Sequence, residues 1–581
     1  MEKEAARLGP EVFPSYTGEI NACFRGCYAS AANLKTTYRR LENEVAATEA
    51  AGAALSAVLG TTPPSLKSEW ETVLFNSFHD ILPGSAIERA LHEQLDSLAG
   101  ARHTTRAARQ HLLTTLSAAV DTTVAKVPDD HPEAVPFLVF NPLPRPVTTL
   151  VELETCLDHR PIPAWSGSHA RTREMPLRVL DAKGTPLPWQ GIAEEHRCFQ
   201  SYAWRRRVLV PVTLPAWGWQ VLQLGWVPGT TPPKPAPAAG FARSPRRGVI
   251  ANDHWSLTAR PGARGLSITR EGVKLFGTAG LQLATIEDPW GAWGAMDEAA
   301  SPESLDLKTV REFWTLTDAH VLESGPFRAS LWVKFAAGRS TAEITFTLQA
   351  GRDAVDASVR LSWNERAARL KLLLPGGDRA RYSILGGELA RPAGSGEVPG
   401  GRWVEIDGPR GAWGFASDAL YAFNAGAGRL EATLCRSARF ACDETLGADD
   451  VPHIPAMDQG VHTLSFLISG ATLPLAPAAE SLERPVWVQQ ALSSPAARPR
   501  AGTLGGLKPD TLEMLAFKKA ENGRGFILRI RNPGAKTAKA TLKLGAEKFV
   551  LGPLKAGELA TFRLTTNQGK PSAHSVSLLE V

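Results

Sequence analysis

Near residue 130 the spacing of apolar residues changes from a helical to an extended period, and nothing else in the chain constrains its fold as strongly. Before that point, Leu34, Tyr38, Leu41 and Val45 recur at i, i+4, i+7 and i+11 as one apolar stripe, continued by Leu55, Val58 and Leu59 and stopped by Gly60. Thr62 followed by Pro63-Pro64 predicts the start of a second helix, a cap and then prolines in the first turn, striped by Leu66, Trp70 and Val73 and stopped by Pro83-Gly84. Ser85-Ala86-Ile87-Glu88 has the form of a capping box. Ile87, Leu91, Leu95 and Leu98 follow on one face, with Leu112, Leu116 and Val120 extending the pattern past Gly100. Three amphipathic helices with short links predict an antiparallel bundle.

Beyond residue 130 the period is two. Leu331-Trp-Val-Lys-Phe335, Ile344-Thr-Phe-Thr-Leu348 and Phe526-Ile-Leu-Arg-Ile530 alternate, and Pro375-Gly376-Gly377 and Asn522-Gly523 supply turns. The 51 glycines and 43 prolines in 581 residues fit a turn-rich β majority. The expected class is α+β, mostly β: a three-helix bundle followed by stacked antiparallel β-sandwich domains. The basic, Pro-rich stretch 228–248 cannot form a ladder by this reading and is expected to link β units. A net charge of +5 is too mild to argue for nucleic acid. Six scattered cysteines give neither a disulfide framework nor a zinc pattern. Cys23 and Cys27, four apart, are read as ordinary, partly buried thiols. With no apolar signal region at the N-terminus and no apolar run of about 18 residues, the expected location is cytoplasmic and no membrane partner is expected. The Ala/Arg/Pro bias suggests a GC-rich bacterial genome.

One segment is chemically loaded: Asn76-Ser77-Phe78-His79-Asp80-Ile81-Leu82-Pro83-Gly84. An imidazole can ligate a metal, and a neighbouring carboxylate can accept hydrogen bonds from sugar hydroxyls. Taken alone, the dipeptide reads as a surface or capping pair. The segment, however, resembles the "N-Q-F-H-D-I-L-P-G" signature of the retaining α-mannosidases of glycoside hydrolase family 38, with Ser77 in place of Gln. Further resemblances run in order along the chain: Gly18-Glu19-Ile20 and Phe24 to Ser30, Val139-Phe140-Asn141-Pro142-Leu143, Ile286-Glu287-Asp288-Pro289 with Trp290 and Trp293, Glu397 to Gly400 with Arg402-Trp403, Met457 to His462, and Phe517 to Glu521 with Ile527-Leu528-Arg529.

The resemblance implies hydrolysis of terminal α-D-mannose from oligosaccharides with zinc as cofactor. His79 would be one of four zinc ligands and Asp80 a contact to the non-reducing mannose. The mechanism would be a double displacement by two carboxylates. Trp290 and Trp293, otherwise loop-anchoring tryptophans, would approach the sugar, and Asp288 shares their loop. Arg25 and Glu19 are expected to fix the entry segment, His462 to be structural, and Lys518, Glu521 and Arg529 to form a salt-bridged set. The resemblance also implies a domain layout. Residues 1–31 would be the end of an α/β barrel and 32–128 the bundle, or middle domain. A first β domain would span 129–235, a large β-sandwich 236–480 and a C-terminal β domain 481–581.

The family's nucleophile, its acid/base and three zinc ligands lie in that barrel, which would precede residue 1. None of the 13 histidines has Asp two positions later, the form two of those ligands take. No catalytic residue is therefore expected in this chain. His79 is a lone ligand, no zinc is expected on the isolated chain, and activity is expected only with a barrel. The alternatives are a non-catalytic carbohydrate-binding protein and a subunit complementing a separately encoded barrel.

Overall fold

The structure is a computed structural model. It describes residue 7 and residues 24–126, 133–157, 177–195, 205–226, 243–246, 248–294, 309–377, 379–392, 396–407, 411–426, 428–441 and 455–580. Glu19, Cys23 and most of 228–248 lie outside these. Helices α1 (Ala32–Leu59), α2 (Lys67–Asn76) and α3 (Glu88–Ala119) pack as the expected three-helix bundle. Their stripes meet in one core of Leu34, Leu41, Val45, Leu66, Val73, Leu91 and Leu98.

The helix ends differ from the sequence reading. α2 begins at Lys67 behind Leu66, which makes no side-chain cap. Pro63-Pro64 stay outside it, because Pro64 packs onto α1 instead: a Cβ added at Gly52 would lie 2.8 Å from Pro64 Cδ. α2 stops at Asn76, well before Pro83-Gly84, and the segment between them is a run of turns closed by isolated i→i−3 and i→i−4 hydrogen bonds rather than a continued helix. Ser85 does not cap α3. Its hydroxyl lies 3.3 Å from Asp80 O, and Ile87 occupies the N-cap. α3 runs unbroken through Gly100.

α1 serves two cores. Its first half packs on α2 and α3. Its alanine-rich second half, Ala47 to Leu55, enters a core with Trp217, Phe517, Leu528 and Leu542 from the β region. Short side chains let the sheet come close without leaving voids. The N-terminus of α1 has no local cap, since Ala31 sits there with φ 56°. Asp458, from far along the chain, accepts the free N–H groups of Ala32 at 2.8 Å and Asn33 at 3.3 Å. Asp458 itself holds φ 59°. His462 is buried beside it, with Nε2 2.6 Å from Asp458 O, the structural role expected of it.

Every strand pairing described is antiparallel. In the first β unit, a six-stranded sheet built on Val135–Phe140 and Gly218–Trp226 shares an apolar core with the sheet of Val147–Cys156, Arg205–Leu214 and Gln190–Ile192. The six-stranded sheet also takes in Trp487–Gln490 and Ala501–Thr503, with Phe140 opposite Trp487. The sequence reading had placed both segments in the C-terminal unit.

The large unit pairs an eleven-stranded with a nine-stranded sheet around the main core. Leu331, Val333 and Phe335 alternate inward as predicted, and Leu331 faces Phe346 across the ladder. Arg243–Arg246 pairs as an edge strand, so the end of the stretch read as a linker does join a ladder. A short helix not anticipated from sequence, α4 (Leu475–Glu483), packs on the nine-stranded sheet. Sheets of three and four strands close the chain, with Gly523 turning the Phe526–Arg531 hairpin at φ 72°. Lys518 pairs with Glu521 and with Glu580 at 2.8 Å. Arg529 does not join that set: it donates to Thr561 Oγ1 and Leu578 O, because its strand position points it at the neighbouring strand and the C-terminal turn.

Candidate functional site

α2 delivers the chain to the His79 segment. Val73 is held in the bundle core and Asn76, also buried, donates back to Thr72 O at 2.9 Å. Beyond it, Ile81 N and Leu82 N donate to Phe78 O at 3.0 and 3.1 Å, and Gly84 N to Ile81 O at 2.9 Å. Gly84 has φ 84°, and a Cβ there would lie 2.9 Å from Ser30 O. Only glycine allows this approach. With Ile81 buried as the anchor, His79 and Asp80 are presented outward. The His79 side chain is 79% exposed, and its Nε2 lies 3.5 Å from Asp80 Oδ2. The Phe78 ring lies 4.2 Å from the imidazole, centroid to centroid. Just before the pair in sequence, Leu74 and Phe75 at the end of α2 are 65% and 61% exposed, and Phe78 is 51% exposed.

Trp290 and Trp293 follow the strand Leu281–Glu287 on a loop held by an ion pair inside the protein. Arg436 clasps Asp288 with two hydrogen bonds of 2.6 and 2.8 Å, both residues about 1% exposed. The same guanidinium donates to Ser30 Oγ at 2.8 Å and to Ala292 O at 3.1 Å. Burial by itself would raise the Asp288 carboxyl pKa. Arg436 and Arg369 more than reverse this, leaving it below its ordinary value. Behind it, Glu397 accepts from Arg369 at 3.1 Å, from Lys371 and from Thr433, and the two cations overcome burial in the same way. Asp288 is therefore committed to holding its loop.

A short turn, Arg25–Tyr28, joins the two loops. Gly26 N donates to Trp293 O at 3.0 Å, Ser30 Oγ lies 2.7 Å from Ala292 O, and the Phe24 and Trp293 rings are 5.4 Å apart. On the other side, the buried Lys35 ammonium donates to Ser30 O and, at 2.5 Å, to Leu82 O of the His79 segment. Burial lowers the Lys35 pKa to about 8, with Cys27 and Asp458 opposing that shift. The structure thus ties both loops to one turn through Lys35 and Arg436. Among the described residues no hydrogen bond, ion pair or ring contact joins His79 or Asp80 to either tryptophan, and both tryptophans are half-buried. Sequence reading did not single out Lys35 or Arg436, and it met Asp458 only within the Met457 to His462 resemblance, without its capping role. The available signal was charge within apolar strands, as in Leu430 to Arg436.

Among the described residues no three His, Cys, Asp or Glu side chains cluster so as to hold a metal. Zinc wants about four donors. His79 with its neighbour does not fit it alone.

The model of the α-mannosidase middle domain matches residues 22–116, the entry turn and the bundle. "Alpha-mannosidase G" of Dictyostelium discoideum is 22% identical, over 87% of this chain and 46% of its own length. The chain thus spans less than half of that relative. A crystal structure of an α-mannosidase from Enterococcus faecalis V583 superposes with TM-score 0.74 at 16% identity, covering 97% of this chain and 71% of that one. A glycosyl hydrolase family 38 protein from Enterococcus faecalis gives 0.73 at 16% identity, over 97% and 73%. With the middle-domain match at the motif-bearing bundle and the β units in the same fold behind it, this chain is similar to the C-terminal portion of glycoside hydrolase family 38 α-mannosidases.

Proposed function

We propose that this chain supplies the His79–Asp80 face of a retaining, zinc-dependent α-mannosidase that removes terminal α-D-mannose from oligosaccharides. The observation that carries the reading is the presentation of that pair. A loop fixed from below by Ile81, Gly84 and Lys35 projects His79 and Asp80 outward amid exposed Leu74, Phe75 and Phe78. Apolar side chains this exposed, so close in sequence to the pair, are what a surface covered by another domain would present. That domain would be a catalytic barrel, either joined to this chain or separately encoded.

His79 would contribute one donor to a zinc site completed by that domain, and Asp80 would accept hydrogen bonds from mannose hydroxyls. Trp290 and Trp293 would flank the sugar. The nucleophile and the acid/base would come from the barrel, at the short carboxylate separation that retention requires. The setting would be cytoplasmic. A free-standing carbohydrate-binding role does not account for exposed Leu74, Phe75 and Phe78 next to the motif. The experiment is mannose release from an aryl α-mannoside, by the chain alone and with a family 38 catalytic domain added. Release only in the second case supports the reading, and release by the chain alone contradicts it.

A further inference from the structure

Three non-glycine residues with left-handed backbone meet at the turn that joins the two loops. Phe24 and Ala31, on either side of residues 25–30, both hold φ 56°, and Asp458, which accepts from Ala32 and Asn33, holds φ 59°. Such backbone is costly, persists only where the surroundings over-determine it, and gathers at functional sites. Two glycines bring the turn against both loops. A Cβ on Gly26 would fall 2.7 Å from Trp293 C, and one on Gly84 would fall 2.9 Å from Ser30 O. The turn therefore touches the tryptophan loop through Gly26 and the His79 segment through Ser30.

Ser30 is fully buried and takes part in both contacts. Its hydroxyl accepts from Arg436 at 2.8 Å, and its single proton lies within reach of Ala292 O at 2.7 Å and Gly26 O at 2.9 Å. Its carbonyl accepts from Lys35, whose ammonium also donates to Leu82 O at 2.5 Å. The side chain thus holds the tryptophan loop, and the main chain, through Lys35, holds the His79 segment. Water does not readily replace a bond lost at a buried group. Releasing Ser30 on one side therefore frees the turn that holds the other.

We propose that Ser30 is a positioning residue that couples the two loops, so that Trp290 and Trp293 keep one placement relative to His79 and Asp80. What the loops hold rests on the α-mannosidase reading, whereas the coupling is a property of this chain alone. A sugar that meets both loops would then meet them already fixed, without the cost of ordering them.

The test is a double-mutant cycle on the whole chain, read by amide exchange and by ¹⁹F NMR of 5-fluorotryptophan. Ser30→Ala deletes the hydroxyl and keeps the carbonyl, and Lys35→Met deletes the ammonium. The Leu82 and Gly84 amides, bonded to Phe78 O and Ile81 O, report on the His79 segment. The Gly26 and Gly294 amides, bonded to Trp293 O and Gly291 O, report on the tryptophan loop. Each single variant is expected to accelerate exchange about tenfold at both sets, the worth of one lost buried hydrogen bond. The double variant is expected to exchange no faster than the faster single. The Trp290 and Trp293 signals, assigned by Trp290→Phe and Trp293→Phe, are expected to shift in Lys35→Met. Ser30→Cys keeps a weak donor of similar size and is expected to fall between wild type and Ser30→Ala. Val359→Ala, in the main sandwich core, is expected to leave both sets at wild-type rates. Acceleration confined to each variant's own loop overturns the proposal. So do single effects that multiply in the double variant, unmoved tryptophan signals in Lys35→Met, or equal acceleration by Val359→Ala. Mannose release is not the readout, so a failure of the α-mannosidase reading leaves this result standing.

Discussion

Arg436 and Lys35 carry more of the candidate site than the residues that would touch substrate. Arg436 is buried, bound twice to Asp288, and in contact with Ser30 and Ala292. Arg436→Met leaves Asp288 as a buried charge short of a partner, which typically costs about 3–5 kcal/mol. The expected result is a clear fall in melting temperature, and an unchanged melting temperature would refute it. Lys35 gives a pH signature. Its amine has a folded pKa of about 8 against an ordinary 10.5. Between these values the unfolded chain holds a proton that the folded chain has released, so stability rises with pH across that window. Below pH 8 both states are charged, and the penalty of burying the charge is fully present. Denaturant melts between pH 7 and 10.5 should show the rise in wild type and its loss in Lys35→Met. Parallel curves for the two proteins would show that Lys35 is not the group responsible. Neither residue was legible in advance. His79 announces itself through its neighbours in sequence, whereas Lys35 acquires its role only when Ser30 and Leu82 fold against it.

Among the elements, the segment between α2 and α3 matters most. Its path depends on Gly84 at φ 84°, wedged against Ser30 and Ala31. Gly84→Ala is expected to cost roughly 1–3 kcal/mol through backbone strain and crowding. Amide exchange should accelerate first at residues 78–84, and exchange no faster than wild type would show that the segment is held by other means. The apolar periods were readable because they reflect burial of one face: the stripe on α1 and the alternation of Leu331 to Phe335 both follow. The helix starts were not, since the prolines after Thr62 had a better partner in Gly52 than a first helical turn. Asp458 capping α1 from 426 residues away has no local signature at all.

For the whole molecule, the order of bundle and β units was legible from one change of period, and their interlocking was not. Trp487–Gln490 crosses back to the first β unit, and the alanines of α1 enter a core built partly by the last hundred residues. Such long-range pairings are chosen by complementary surfaces that a single sequence does not display. The claim that unites the account is that His79 and its loop complete a catalytic site together with a barrel. The direct measurement is α-mannoside hydrolysis by this chain combined with a family 38 catalytic domain, with and without zinc, for wild type and His79→Ala. The account predicts zinc-dependent mannose release by wild type, reduced by orders of magnitude in His79→Ala, because removing one of about four donors cripples a zinc site. Full activity of His79→Ala in that assembly would contradict it.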